Sequence, residues 1–101
     1  MSDTPHPAFS VEDLARILSE PARWHLLREL AKGEPMPVKE LARRIGKTPD
    51  MTSKHLAFLR EMGMVMTKYS RIYQLVPALM PAAGATHLDF GHCLVKLDGA
   101  G

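Results

Sequence analysis

One hundred and one residues, 46% of them hydrophobic and 24% charged, can bury one core but hardly two, which predicts a single domain. The least polar stretch, Leu75 to Ala85, is broken by Pro77, Pro81 and Gly84, and this excludes a membrane-crossing helix. The net charge is only +2, but residues 21 to 76 hold eleven Lys and Arg against five acids, while both flanking segments are net acidic, so the basic footprint sits in the middle of the chain.

The opening MSDTPHPAFS lacks the basic and apolar regions of a secretory signal, so the expected location is the cytoplasm. Ser10 followed by Asp13 reads as an N-cap with an acidic third residue, and Phe9 stands where a hydrophobic staple begins. Val11, Leu14, Ala15 and Leu18 recur at i, i+3, i+4, i+7, which predicts helix one from Val11 to Leu18. Ser19 is the expected cap of helix two, with Glu20 and Pro21 in its first turn. Gly33 ends it, and Trp24, Leu27, Leu30 and Ala31 form its buried stripe. Glu34 to Pro37 reads as a connector. Val38, Leu41, Ala42 and Ile45 then predict a short helix three, stopped by Gly46.

Only Gly46 and Lys47 precede Thr48, the expected N-cap of a fourth helix over 48–62, with Pro49 at its first position and Gly63 at its end. Two helices joined by so tight a turn form a helix-turn-helix. Val65, Thr67, Tyr73 and Leu75 flank Tyr69, Ser70 and Arg71 as a short hairpin, which completes the winged-helix order. The fold class expected is therefore mainly α with a small β-hairpin wing, over residues 1–76. Residues 77–101 are read as a Pro/Gly linker and an extra C-terminal strand, His87 to Asp98, with Gly91 as a bulge, packed on the same domain or on a partner.

The stretch from Leu18 to Val65 resembles the ArsR/SmtB family of bacterial transcriptional regulators. The residues that carry the likeness are Pro21-Ala22-Arg23, Glu40-Leu41-Ala42, Ser53-Lys54-His55-Leu56 and Leu59-Arg60-Glu61-Met62-Gly63-Met64-Val65, within a match over about residues 10 to 76. The resemblance implies a winged helix-turn-helix that binds double-stranded DNA, as a dimeric repressor on a partly palindromic operator. It also shows departures. Where metal-sensing relatives carry Cys-Val-Cys, this chain reads Pro37, Val38, Lys39, so that metal site is missing. The wing is shorter, and a Pro/Gly linker replaces the relatives' fifth helix.

A recognition helix presents the side chains of its first turns to base edges while phosphate contacts fix its register. The expected DNA-binding residues are Thr48, Pro49, Met51, Ser53, Lys54 and His55 on that helix, with Lys68, Tyr69 and Arg71 on the wing. Thr48 and Ser53 can bond phosphate or bases, Met51 can touch a thymine methyl, and Lys54 can reach guanine or phosphate. On an unbroken strand His87, Asp89 and Cys93 would share one face as metal-ligand types. A bulge at Gly91 breaks that alignment, so no metal is assigned and no cofactor is called for. His92 and Cys93, adjacent on a strand, point to opposite faces and cannot form a dyad; an enzyme is not expected. A homodimer through helix one and the C-terminal strand is expected. The rival reading, from the modest net charge and short wing, is a protein-interaction adaptor or antirepressor that has lost tight DNA binding.

Overall fold

The computed structural model describes residues 9–69, 71–82, 85 and 87–90, and the backbone of 94–96. Four helices come first: α1 (Val11–Leu18), α2 (Pro21–Leu30), α3 (Val38–Ile45) and α4 (Pro49–Glu61). Ahead of α3 lies a two-residue strand, β1 (Met36–Pro37), and after α4 come β2 (Val65–Lys68) and β3 (Ile72–Leu75). A 3-10 turn (Pro77–Leu79) leads to a separate hairpin of β4 (His87–Asp89) and β5 (Leu94–Lys96).

The caps explain the helix limits. Ser10 Oγ accepts from the Asp13 amide at 3.0 Å and starts α1. Ser19, expected to cap α2, instead closes α1, its hydroxyl donating to the Arg16 carbonyl at 3.1 Å. Glu20 takes the N-cap position of α2 without a side-chain bond. At the end of α3 the chain turns through Gly46 at φ +71°, a conformation that costs a side-chain-bearing residue about 1 kcal/mol. The Lys47 amide then reaches back to the Ala42 carbonyl at 3.0 Å, and this closed loop lets α4 begin almost immediately.

The core is a single cluster that draws on every layer, with Leu26, Leu41, Leu56, Leu59, Met64 and Leu75 among its fully enclosed members. Two expected stripes are rotated. On α2 the buried residues are Ala22, Leu26, Leu27 and Leu30, whereas Trp24 and Ala31 sit half-buried at the rim. On α1 only Leu14 and Ile17 enter the core; Val11 is 62% exposed, Ala15 is exposed and Leu18 is half-buried. An eight-residue helix can carry two apolar strips, and here one of them is left at the surface.

The wing sheet has three strands in the order β1-β3-β2, all antiparallel, with Met36 opposite Tyr73 and Thr67 opposite Tyr73 on the other side. The connector read from the sequence therefore contains a strand. Pro37, which has no amide hydrogen, is tolerated because β1 lies at the sheet edge. The tail likewise differs from the single strand expected: β4 pairs antiparallel with β5, His87 opposite Lys96 and Asp89 opposite Leu94. The proposed bulge at Gly91 lies outside the described residues, as do His92 and Cys93. Leu79, Leu88 and Phe90 are buried, and Phe90 meets Phe9 edge-to-face with 6.2 Å between ring centres.

Candidate nucleic-acid interface

The site begins with the orientation of α4. Thr52, Leu56 and Leu59 are fully buried and fix which side of the helix faces the core. The opposite side must then face solvent; Asp50, Met51, Ser53 and Lys54 are exposed around it, and Thr48 and Pro49 are exposed at the N-terminal end of the helix. Met51, an apolar side chain left 48% exposed, stands beside Lys54 one turn along. His55, expected among these residues, is half-buried on the flank. Thr48 accepts from the Met51 amide through Oγ1 at 3.2 Å, so its hydroxyl caps the helix while its proton stays available to an outside acceptor.

The wing supplies the second part. Lys68 and Ile72 form the last pair of β2 and β3, and the tip between them exposes Tyr69 and Arg71, the third tip residue, Ser70, lying outside the described residues. Tyr69 has φ +54° and is 86% exposed. A large aromatic in the left-handed region with its ring in water carries both backbone strain and unfavourable hydration, a combination found where a side chain is presented to a partner. Sequence reasoning missed Lys47, exposed in the turn just before α4. Its signal was position alone, since a turn residue preceding a recognition helix lies at the same end as the helix N-terminus. Among the described residues, Lys47, Lys54, Lys68 and Arg71 have no carboxylate within ion-pair distance.

The two arginines of α3 are engaged instead. Arg43 and Arg44 both grip Glu40, with Arg44 Nε at 2.7 Å and Arg43 Nε at 3.1 Å, and Arg44 Nη1 also reaches Glu29 of α2 at 3.3 Å. Hydrogen bonds from Arg43 first and Arg44 second pull the Glu40 carboxyl down to about 2 from its ordinary 4.5. A depressed folded value means that the stabilisation is present above the unfolded value and is lost as pH falls from about 4.5 through about 2. Glu40→Gln should therefore unfold at lower urea than the parent at neutral pH, the two midpoints converging by about pH 2. A gap that stays constant over that range would mean the carboxylate is not the source.

Residues 20–67 match the family described as bacterial regulatory protein, arsR family. Solved structures are similar as well. The transcriptional repressor BigR from Xylella fastidiosa is 35% identical, over 67% of this chain and 71% of that one, with a TM-score of 0.57. HlyU from Vibrio cholerae is 27% identical over 63% and 72%, TM-score 0.54. The cadmium metal-sensor CMTR from Mycobacterium tuberculosis is 35% identical over 64% and 70%, TM-score 0.53. Among curated protein sequences none matches.

The chain belongs to the ArsR family of bacterial regulatory proteins. Its fold is the winged helix-turn-helix of DNA-binding transcriptional regulators, and no described helix is long and apolar enough to cross a membrane. In this ArsR-family chain the positions that read Pro37 and Lys39 are the N-cap and an exposed side chain of α3, neither of which offers a soft ligand. His87 and Asp89 lie two apart on β4 and share a face, but Cys93 is outside the described residues. Among the described residues no group of three metal-ligand types converges. A cleft of about 270 Å³ between α2 and α3 is lined by His25, Arg28, Glu29, Arg44 and Ile45. Its carboxylate is committed to Arg44 and Lys32, so it presents a structural ion pair rather than a free base.

Proposed function

We propose that this protein is a homodimeric repressor that occludes a partly palindromic operator, with α4 in the major groove and the wing on the adjacent backbone. The observation that carries this reading is the outer side of α4, where Thr48, Met51, Ser53 and Lys54 are exposed together while Thr52, Leu56 and Leu59 hold the helix down. That spacing offers hydrogen-bond donors, a thioether for a thymine methyl and a cation within the first two turns, the part of a recognition helix that meets base edges. Lys54, Lys68 and Arg71, joined by Lys47, supply phosphate contacts, Tyr69 lies along a sugar edge, and Pro49 and His55 pack beside the backbone.

One winged helix offers too little contact for tight specific binding, so two copies are needed. The outer strip of α1, Val11, Ala15 and Leu18, is the apolar surface available for the seam, beside the tail hairpin. Leu88 and Phe90 are already spent on the chain's own core. The tail's contribution to a dimer is therefore through its strand edge.

Selection from a random pool of duplexes at low salt tests the function. Enrichment of a sequence with two inverted half-sites, bound by a species that sediments as a dimer, is the expected outcome. If no duplex is enriched, the fold serves as a protein-interaction adaptor instead.

A further inference from the structure

Arg23 sits in the first turn of α2, where a cation meets the positive end of its own helix dipole, an arrangement unfavourable by about 0.3–1 kcal/mol. What holds it there lies on two other helices. Its Nη1 donates to the Arg16 carbonyl in the last turn of α1 at 2.7 Å, an oxygen that also accepts from Ser19 Oγ. Its guanidinium carbon lies 3.9 Å from the centre of the Phe58 ring on α4, while that of Arg16 is 5.9 Å from the same ring. Arg23 Nε is buried without a hydrogen-bond partner among the described residues, so the group has given up water to stay in this one place. Phe58 is half-buried on the flank of α4, one turn beyond Lys54.

One side chain thus joins three helices: it caps the C-terminal end of α1, starts from α2 and covers a ring on the recognition helix. We propose that Arg23 is a positioning residue that fixes the angle of α4 relative to α1, and so sets the half-site spacing that the dimer accepts. This rests on the dimeric DNA-binding reading, in which α1 carries the seam. If α1 defines where the two copies meet and α4 defines where each meets DNA, the Arg23 link between them determines how far apart, and at what rotation, the two recognition helices stand. A one-base-pair change in spacing rotates one half-site by about 34° around the DNA axis, which a rigid pair of helices cannot follow.

The test compares affinity for the selected operator with affinity for the same half-sites moved one base pair apart, for wild type, Arg23→Met, Arg23→Lys and Phe58→Leu. Wild type should prefer the native spacing roughly a hundredfold. Arg23→Met covers the ring but has neither charge nor donor, and Arg23→Lys keeps the charge but not the planar group. Both should reduce the preference to roughly tenfold or less while remaining dimeric. Phe58→Leu, which leaves the α1 cap in place, should do the same, and adding Arg23→Met to it should reduce the preference no further. Simple loss of stability lowers the active fraction equally for both operators and leaves their ratio unmoved, so the ratio isolates positioning. An unchanged ratio in Arg23→Met overturns the proposal, as does a variant that has become monomeric, since Arg23 would then act on the seam. Failure of the wild type to bind any duplex is a different result: it removes the DNA reading itself.

Discussion

Removal of both the Lys54 and the Arg71 side chains as Lys54→Ala/Arg71→Ala is expected to weaken operator binding by roughly a thousandfold at about 0.15 M salt. Both side chains are exposed and without an ion-pair partner among the described residues, so they meet phosphate without first breaking an internal contact. In a symmetric dimer the double variant deletes four cationic contacts, and each displaces about 0.9 of a counterion per phosphate neutralised. The slope of log affinity against log salt should therefore fall by between about three and four. Fluorescence anisotropy titrations over a salt series give both quantities. Near-wild-type affinity with an unchanged slope would show that neither residue touches the backbone. A large loss of affinity with the slope falling by only about two would place Lys54 on a base edge and leave Arg71 as the phosphate contact, since base contacts carry specificity without counterion release.

The second large effect concerns the tail. Phe90 is fully buried against Phe9, and its replacement by alanine should cost about 3–4 kcal/mol of folding stability, a large share of what a domain of this size possesses. Part of that cost, about 1 kcal/mol, belongs to the edge-to-face ring pair and should disappear in a cycle with Phe9→Ala. Chemical denaturation measures both. The same reasoning makes a chain ending at Val76 a poor stand-in for the whole, since it would lose Leu79, Leu88 and Phe90 from the shared core. A loss below about 1 kcal/mol in Phe90→Ala would mean that the tail does not complete the core.

What was legible in the sequence follows from how local each signal is. The limits of α1 and α3 were readable because a cap, a glycine stop and a 3.6-residue repeat all act within a few positions. The inward side of α4, with Thr52, Leu56 and Leu59, was readable for the same reason. The rotation of the α2 stripe was not, because Trp24 and Leu26 are both apolar, and what decides between them is the packing of α2 against α1, α3 and α4. The large indole is better kept at the rim, where Arg28 lies over it at 5.7 Å. Strand β1 escaped notice because two residues cannot show a two-residue period, and its partner β3 is more than thirty positions away. In the tail the single strand expected over 87–98 is replaced by two paired strands. Which tail residues pair with which is decided by contacts beyond the local pattern, so the division into β4 and β5 had no local signal. As for the candidate site, exposure of the recognition-helix residues could be inferred from the buried face, whereas the Arg23 junction joins three separate helices and has no sequence spacing to betray it.

In the proposed complex the front of α4 and the tip of the wing meet duplex DNA, and an amide chemical-shift titration of the full chain with the selected operator tests this contact. The largest changes are expected at Lys47 to His55 and at Lys68 to Ile72, with the amides of His87 to Phe90 moving little. Changes concentrated on the outer strip of α1 or on the tail hairpin, with the α4 amides unmoved, would contradict it.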